Sequence, residues 1–69
     1  MKLTIDTERE SPRRWIAEVL ELPGVMLYGT SKADAVRKVK ELARRVLAER
    51  IRHGEPIPGN LTFEQRRAA

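Results

Sequence analysis

From Ser31 onward the chain carries one apolar stripe, and that stripe constrains the fold more than any other feature. Ala35, Val36, Val39, Leu42, Ala43, Val46, Leu47 and Ile51 recur at spacings of three and four, the period of a helix with one buried face. Ser31 is a favourable N-cap, and Asp34 completes a variant capping box with Asp in place of the usual Glu. Arg52 and His53 suit the negative end of the helix dipole, and Gly54 suits the cap beyond it. The spacing predicts a helix over 31–53, roughly 35 Å long. Glu41 with Arg45, and Arg45 with Glu49, fall at i,i+4 on its outer side. So long a stripe needs a surface to lie on.

The thirty residues before it supply that surface as strands. In residues 2–8 apolar and polar side chains alternate, as a half-buried strand requires. Residues 10–13 read as a turn, because Pro12 cannot continue a ladder. Residues 14–20 form a second strand with Trp15, Ala17 and Val19 on one face. Pro23-Gly24 suits the centre of a type II turn, and residues 25–28 make a short third strand closing on Gly29. Two short connections imply an antiparallel meander. After the helix, residues 55–60 carry two prolines and return extended along the sheet. Residues 61–64 then form a short fourth strand, placed parallel to a neighbour by the helical crossover, and a frayed tail follows. The fold class is α/β in the broad sense (α+β): β-β-β-α-β, one domain over residues 1–69.

Strands of seven residues span only about 23 Å, so the stripe is expected to overhang the sheet near Leu47 and Ile51. A chain of 69 residues without cysteine has no disulfide to compensate for a small core, and oligomerisation is a common remedy. A homodimer or higher oligomer, or a partner chain, is therefore expected, with Tyr28, Leu47, Ile51, Leu61 and Phe63 as interface candidates. Trp15 reads instead as core.

Composition excludes several functions. Without cysteine, and with His53 as the single histidine, thiolate metal sites, cysteine nucleophiles and two-histidine zinc sites are out. No apolar run is long enough for a membrane span. The opening MKLTIDTERE is acidic by its sixth residue, which argues against a signal peptide and for a cytoplasmic protein.

An ordered set of residues carries a resemblance. Trp15-Ile16-Ala17-Glu18-Val19-Leu20-Glu21-Leu22-Pro23-Gly24-Val25, then Tyr28-Gly29, then Ser31 with Asp34-Ala35, resembles the HicB antitoxin family across residues 3–63. The resemblance implies a core like a truncated ribonuclease H fold, without that enzyme's active site. It also implies a non-enzymatic role, binding and neutralising a small HicA-like, mRNA-cleaving toxin. Many family members carry a C-terminal DNA-binding domain, and the fifteen or so residues after this helix leave no room for one. Asp6 with Asp34 or Glu41 is the only carboxylate set that invites comparison with a metal-dependent nuclease. A cap at Asp34 and a solvated Glu41 account for those residues without catalysis, so no catalytic, metal or cofactor site is expected.

Charge separates along the chain. Lys and Arg number 14 against 10 Asp and Glu, a net of +4, and the pI is near 10.1. Residues 1–34 carry five positive and six negative side chains, whereas residues 35–69 carry nine and four. A toxin that handles RNA would be basic, so the acidic half, and Glu18 and Glu21 in particular, are the candidate toxin contacts. The alternative is a standalone homo-oligomeric regulator binding RNA or DNA through the helix, with Arg37, Lys40, Arg44 and Arg45 on phosphates. The three aromatics do not interleave with these cations, which weakens that alternative.

Overall fold

The computed structural model describes residues 1–56 and 59–66. Strands β1 (Lys2–Ser11) and β2 (Arg14–Val19) form an antiparallel hairpin. β1 runs three residues past its expected end. The turn proves to be Pro12-Arg13 alone, with Ser11 opposite Arg14, and the register slips between Arg9 and Ser11 to accommodate Glu10 as a bulge. A bulge inserts one residue and breaks the period of two on which the shorter expectation rested.

Between β2 and β3 (Met26–Gly29), the Val25 N–H donates to the Leu22 carbonyl at 3.0 Å and Gly24 has φ +85°. These are the marks of the expected type II turn. Helix α1 spans Lys32–Arg52, with the Ser31 hydroxyl accepting from the Asp34 N–H at 3.0 Å. At its other end Gly54 has φ +82°, its N–H donates to the Ile51 carbonyl, and the Glu55 N–H donates to the Arg50 carbonyl. That hydrogen-bond pair is a Schellman cap. β4 (Thr62–Gln65) lies parallel to β1, Lys2 opposite Thr62 and Ile5 opposite Gln65, as the crossover argument requires. Within the Pro-rich return, residues 57 and 58 lie outside the described residues, as do residues 67–69 of the expected tail.

The architecture is α+β, a four-stranded mixed sheet of order β3-β2-β1-β4 with α1 packed across one face. The core joins Leu3, Ile5, Ala17 and Val19 of the sheet to Ala35, Val36, Val39, Ala43 and Leu47 of the helix. The β2–β3 loop adds Leu22 and Val25. Burying each Leu, Ile or Val side chain contributes about 1.5–3 kcal/mol, so these two loop residues are a sizeable part of so small a core. Burial also corrects one expectation: Leu47 is 2 % exposed and is a core residue, not an interface residue. Ile51, at 55 % exposure, is the part of the stripe that overhangs. Trp15, Leu61 and Phe63 are half-buried against the core.

Gly29 sets how closely the helix can begin. A Cβ there would stand 2.4 Å from the Ala35 nitrogen and 2.7 Å from its Cα, so only glycine lets α1 start against the end of β3. Among the described residues, no helix is long and apolar enough to cross a membrane.

Candidate partner-binding surface

The helix covers one face of the sheet. Strand alternation gathers the other set of side chains on the opposite face. Across it run two rows, Glu8–Ile16–Tyr28 and Asp6–Glu18–Met26, each a line of directly opposed residues on β1, β2 and β3. Ile16 is half-buried, whereas Met26 and Tyr28 are 44 % and 45 % exposed. Asp6, Glu8, Glu18, Ile16 and Met26 border a shallow groove of about 170 Å³. The Arg14 guanidinium carbon lies 4.2 Å from the centre of the Tyr28 ring, a cation–π contact that holds the ring at the margin of this surface.

The electrostatics of the face are unfavourable for the isolated chain. Asp6 and Glu18 are directly opposed across β1 and β2, and like charges in that relation are destabilising. No cation among the described residues lies within ion-pair distance of Asp6, Glu8 or Glu18. The face thus combines an apolar strip on β2 and β3 with an uncompensated acidic margin on β1.

The two acidic residues singled out in the sequence separate. Glu18 stands in the centre of this face. Glu21 fastens the end of β2 to β1, accepting from the Thr4 N–H and the Thr4 hydroxyl, each at 2.7 Å. Those two bonds to the charged form lower its pKa. Ile16 and Met26 were not among the candidates. Their signal was the period of two in β2 and β3, which marks them as facing away from Ala17 and Leu27. Pairing them with the acidic residues takes a register that no local pattern supplies.

The outer surface of α1 is basic, but not in the expected arrangement. Arg37 pairs with Asp34 at 2.9 Å and with Glu41 at 3.5 Å. Glu49 pairs with Arg52 at 3.2 Å and His53 at 3.6 Å. Arg45, expected between Glu41 and Glu49, has no ion pair among the described residues. Each carboxylate has turned to another cation of its own helix. Lys40 and Arg44 approach the Phe63 ring, at 5.7 and 5.2 Å from its centre. Phe63 therefore packs under the edge of the helix rather than standing free for a partner.

Asp34 accepts from the Thr30 N–H at 3.0 Å, one residue before the usual capping-box donor. That bond, with Arg37 and Lys38 beside it, lowers its pKa to about 2. Asp6 and the pair Asp34 and Glu41 are not brought together, since Asp6 is on the open face and α1 lies across the other. No group of three or more His, Asp or Glu side chains among the described residues could hold a metal ion. Compared with protein-family models, with curated proteins and with solved structures, the chain matches none of them.

Proposed function

We propose that this chain is an antitoxin-type protein of the HicB kind, whose open sheet face receives a small basic ribonuclease toxin and occludes it. The observation that supports this reading is the opposed pair Asp6 and Glu18, beside Glu8, with no ion-pair partner among the described residues and an apolar strip of Ile16, Met26 and Tyr28 alongside. A row that costs the free protein stability is compensated when a cationic partner surface covers it. Aromatic and methionine side chains in such a strip serve as anchors. In this reading the protein does no chemistry of its own, and requires neither metal nor cofactor.

The test is co-expression with the product of a neighbouring short reading frame, followed by purification of the complex and an RNA-cleavage assay. Wild-type protein is expected to form a mixed complex and suppress cleavage. The double variant Glu8→Lys/Glu18→Lys is expected to lose both effects while keeping its circular dichroism spectrum. Retained binding and suppression by that variant would remove the open face from the mechanism.

One observation favours a second reading, binding of RNA or DNA by the helix. Lys40, Arg44 and Arg45 have no ion pairs among the described residues, and Lys32, Arg37 and Lys40 border a cleft of about 570 Å³ beside Gln65. Phosphate binding of this kind weakens steeply between about 50 and 200 mM salt. Fluorescence anisotropy across that range, on wild type and on Arg44→Glu/Arg45→Glu, distinguishes it from the first reading.

A further inference from the structure

β3 is an edge strand, and it is unprotected. Its outer side pairs with nothing among the described residues. Edge strands of monomers are usually blunted by charges, prolines or bulges. β3 reads Met-Leu-Tyr-Gly and has none of these. β4, the opposite edge, carries Glu64 ion-paired to Lys2 at 3.0 Å. Of the five large hydrophobic residues that stand exposed among the described residues, Met26, Leu27 and Tyr28 are consecutive on β3.

The backbone geometry selects a register. The Val25 carbonyl accepts from the Val19 N–H at 2.9 Å and so points toward β2. Successive residues alternate, so Leu27 also points its N–H and C=O toward β2, whereas Met26 and Tyr28 point theirs outward. An antiparallel copy of β3 centred on Leu27 sets Met26 opposite the partner's Tyr28, and Tyr28 opposite the partner's Met26. Four inter-strand hydrogen bonds then satisfy all four outward groups of each strand. Leu27 meets the partner's Leu27 on the helix side, in a non-hydrogen-bonded pair where side chains come closest. The two-fold axis stands perpendicular to the sheet and keeps both helices on one side.

The helix flank fits the same seam. Lys40 and Arg44 lie toward Phe63 on the β4 side. At 100° per residue the opposite flank of the buried stripe carries Leu42 and Val46, which are only half-buried against the core. That flank faces away from β4, toward the β3 side of the sheet where a second helix would lie. No residue of β3 is charged, so the two paired strands set no like charges against each other.

We propose that two copies of this chain associate through β3, antiparallel and centred on Leu27, into one continuous eight-stranded sheet. Tyr28, an interface candidate from the sequence, belongs to this seam, while Ile51, Leu61 and Phe63 lie outside it. The proposal does not depend on the toxin reading. The acidic rows of β1 lie away from the seam, and the two open faces become one surface.

The test combines mass with site-selective crosslinking. Sedimentation equilibrium of wild type is expected to give twice the 7.9 kDa chain mass. The chain has no cysteine, so Leu27→Cys and Met26→Cys each introduce a single thiol. Non-hydrogen-bonded partners have Cα atoms about 4.5 Å apart, within the reach of a disulfide. Mild oxidation is therefore expected to convert Leu27→Cys to a covalent dimer and to leave Met26→Cys largely uncrosslinked. Leu27→Lys, which opposes two cations at the axis, is expected to be monomeric with an unchanged circular dichroism spectrum. A wild type that stays monomeric at its highest soluble concentration overturns the proposal. So does a dimer in which Leu27→Cys crosslinks no faster than Met26→Cys. Neither outcome bears on whether a toxin binds the open face.

Discussion

Replacing Gly29 by alanine tests the central packing argument of the fold. In most settings this substitution is mildly favourable, because alanine restricts the unfolded chain, by about 0.4–1 kcal/mol. Gly29 does not adopt a positive φ, so backbone conformation raises no objection. The objection is steric. The new methyl would lie 2.4 Å from the Ala35 nitrogen, 2.7 Å from its Cα and 2.9 Å from the Asp34 carbonyl carbon. All three are backbone atoms of the first helical turn, so no side chain can rotate away. Relief requires the start of α1 to move by roughly 1 Å to reach ordinary van der Waals separation. That movement would loosen fully buried Ala35 and strain the Ser31 and Asp34 caps. Overpacking of this type costs about 1–3 kcal/mol, and backbone on both sides places Gly29→Ala toward the upper end. A net loss of about 2 kcal/mol corresponds to a drop in Tm of roughly 8–16 °C for a domain of this size. Thermal and urea unfolding, followed by circular dichroism at fixed protein concentration, measure it. Gly24 is the control: open space surrounds it but its φ is +85°, so asparagine should be tolerated at 24 far better than at 29. A Gly29→Ala protein as stable as wild type would refute the account of close helix approach.

Two further outcomes follow from burial and charge. Leu47→Ala should cost about 2–5 kcal/mol in urea unfolding, whereas Ile51→Ala, at an exposed position, should change stability by under about 0.5 kcal/mol. Asp34 has its pKa depressed to about 2 from an ordinary 3.8, so its ionised form is favoured in the folded state. Its stabilising contribution is present above the ordinary value and is lost as pH falls from near 4 toward 2. Unfolding measured across that interval should decline less steeply for Asp34→Asn than for wild type.

The helix was legible because every signal for it is local: the apolar period, the Ser31 cap and Gly54 all act within one or two turns. Pro23-Gly24 was legible for the same reason. The expectation that failed at Leu47 rested on strand length alone, and the β2–β3 loop, which reads locally as a turn, adds to the core. Only the tertiary fold shows that the loop carries Leu22 and Val25 into the core. Arg45 lost its partners through a choice among rotamers of neighbouring charges, and the energies separating such exposed pairs are small. Of the open face, Glu18 and Tyr28 could be nominated singly. Their union with Asp6, Glu8, Ile16 and Met26 depends on cross-strand register, which residues distant in sequence determine together.

The parallel pairing of β4 with β1 has a kinetic meaning. Lys2 meets Thr62 across almost the entire chain, so this ladder closes the largest loop in the molecule and collects its reward only after the loop entropy has been met. The β1–β2–β3 meander and the α1 that follows β3 assemble through much shorter closures. β4 is therefore expected to arrive last, and with only Phe63 of its residues half-buried beside the core it is expected to open before the rest of the sheet. When it peels away it uncovers the outer edge of β1 over Lys2–Ile5, the four residues that pair with it. Residues 62–65 thus cover backbone groups of Lys2–Ile5 that would otherwise form an open sheet edge.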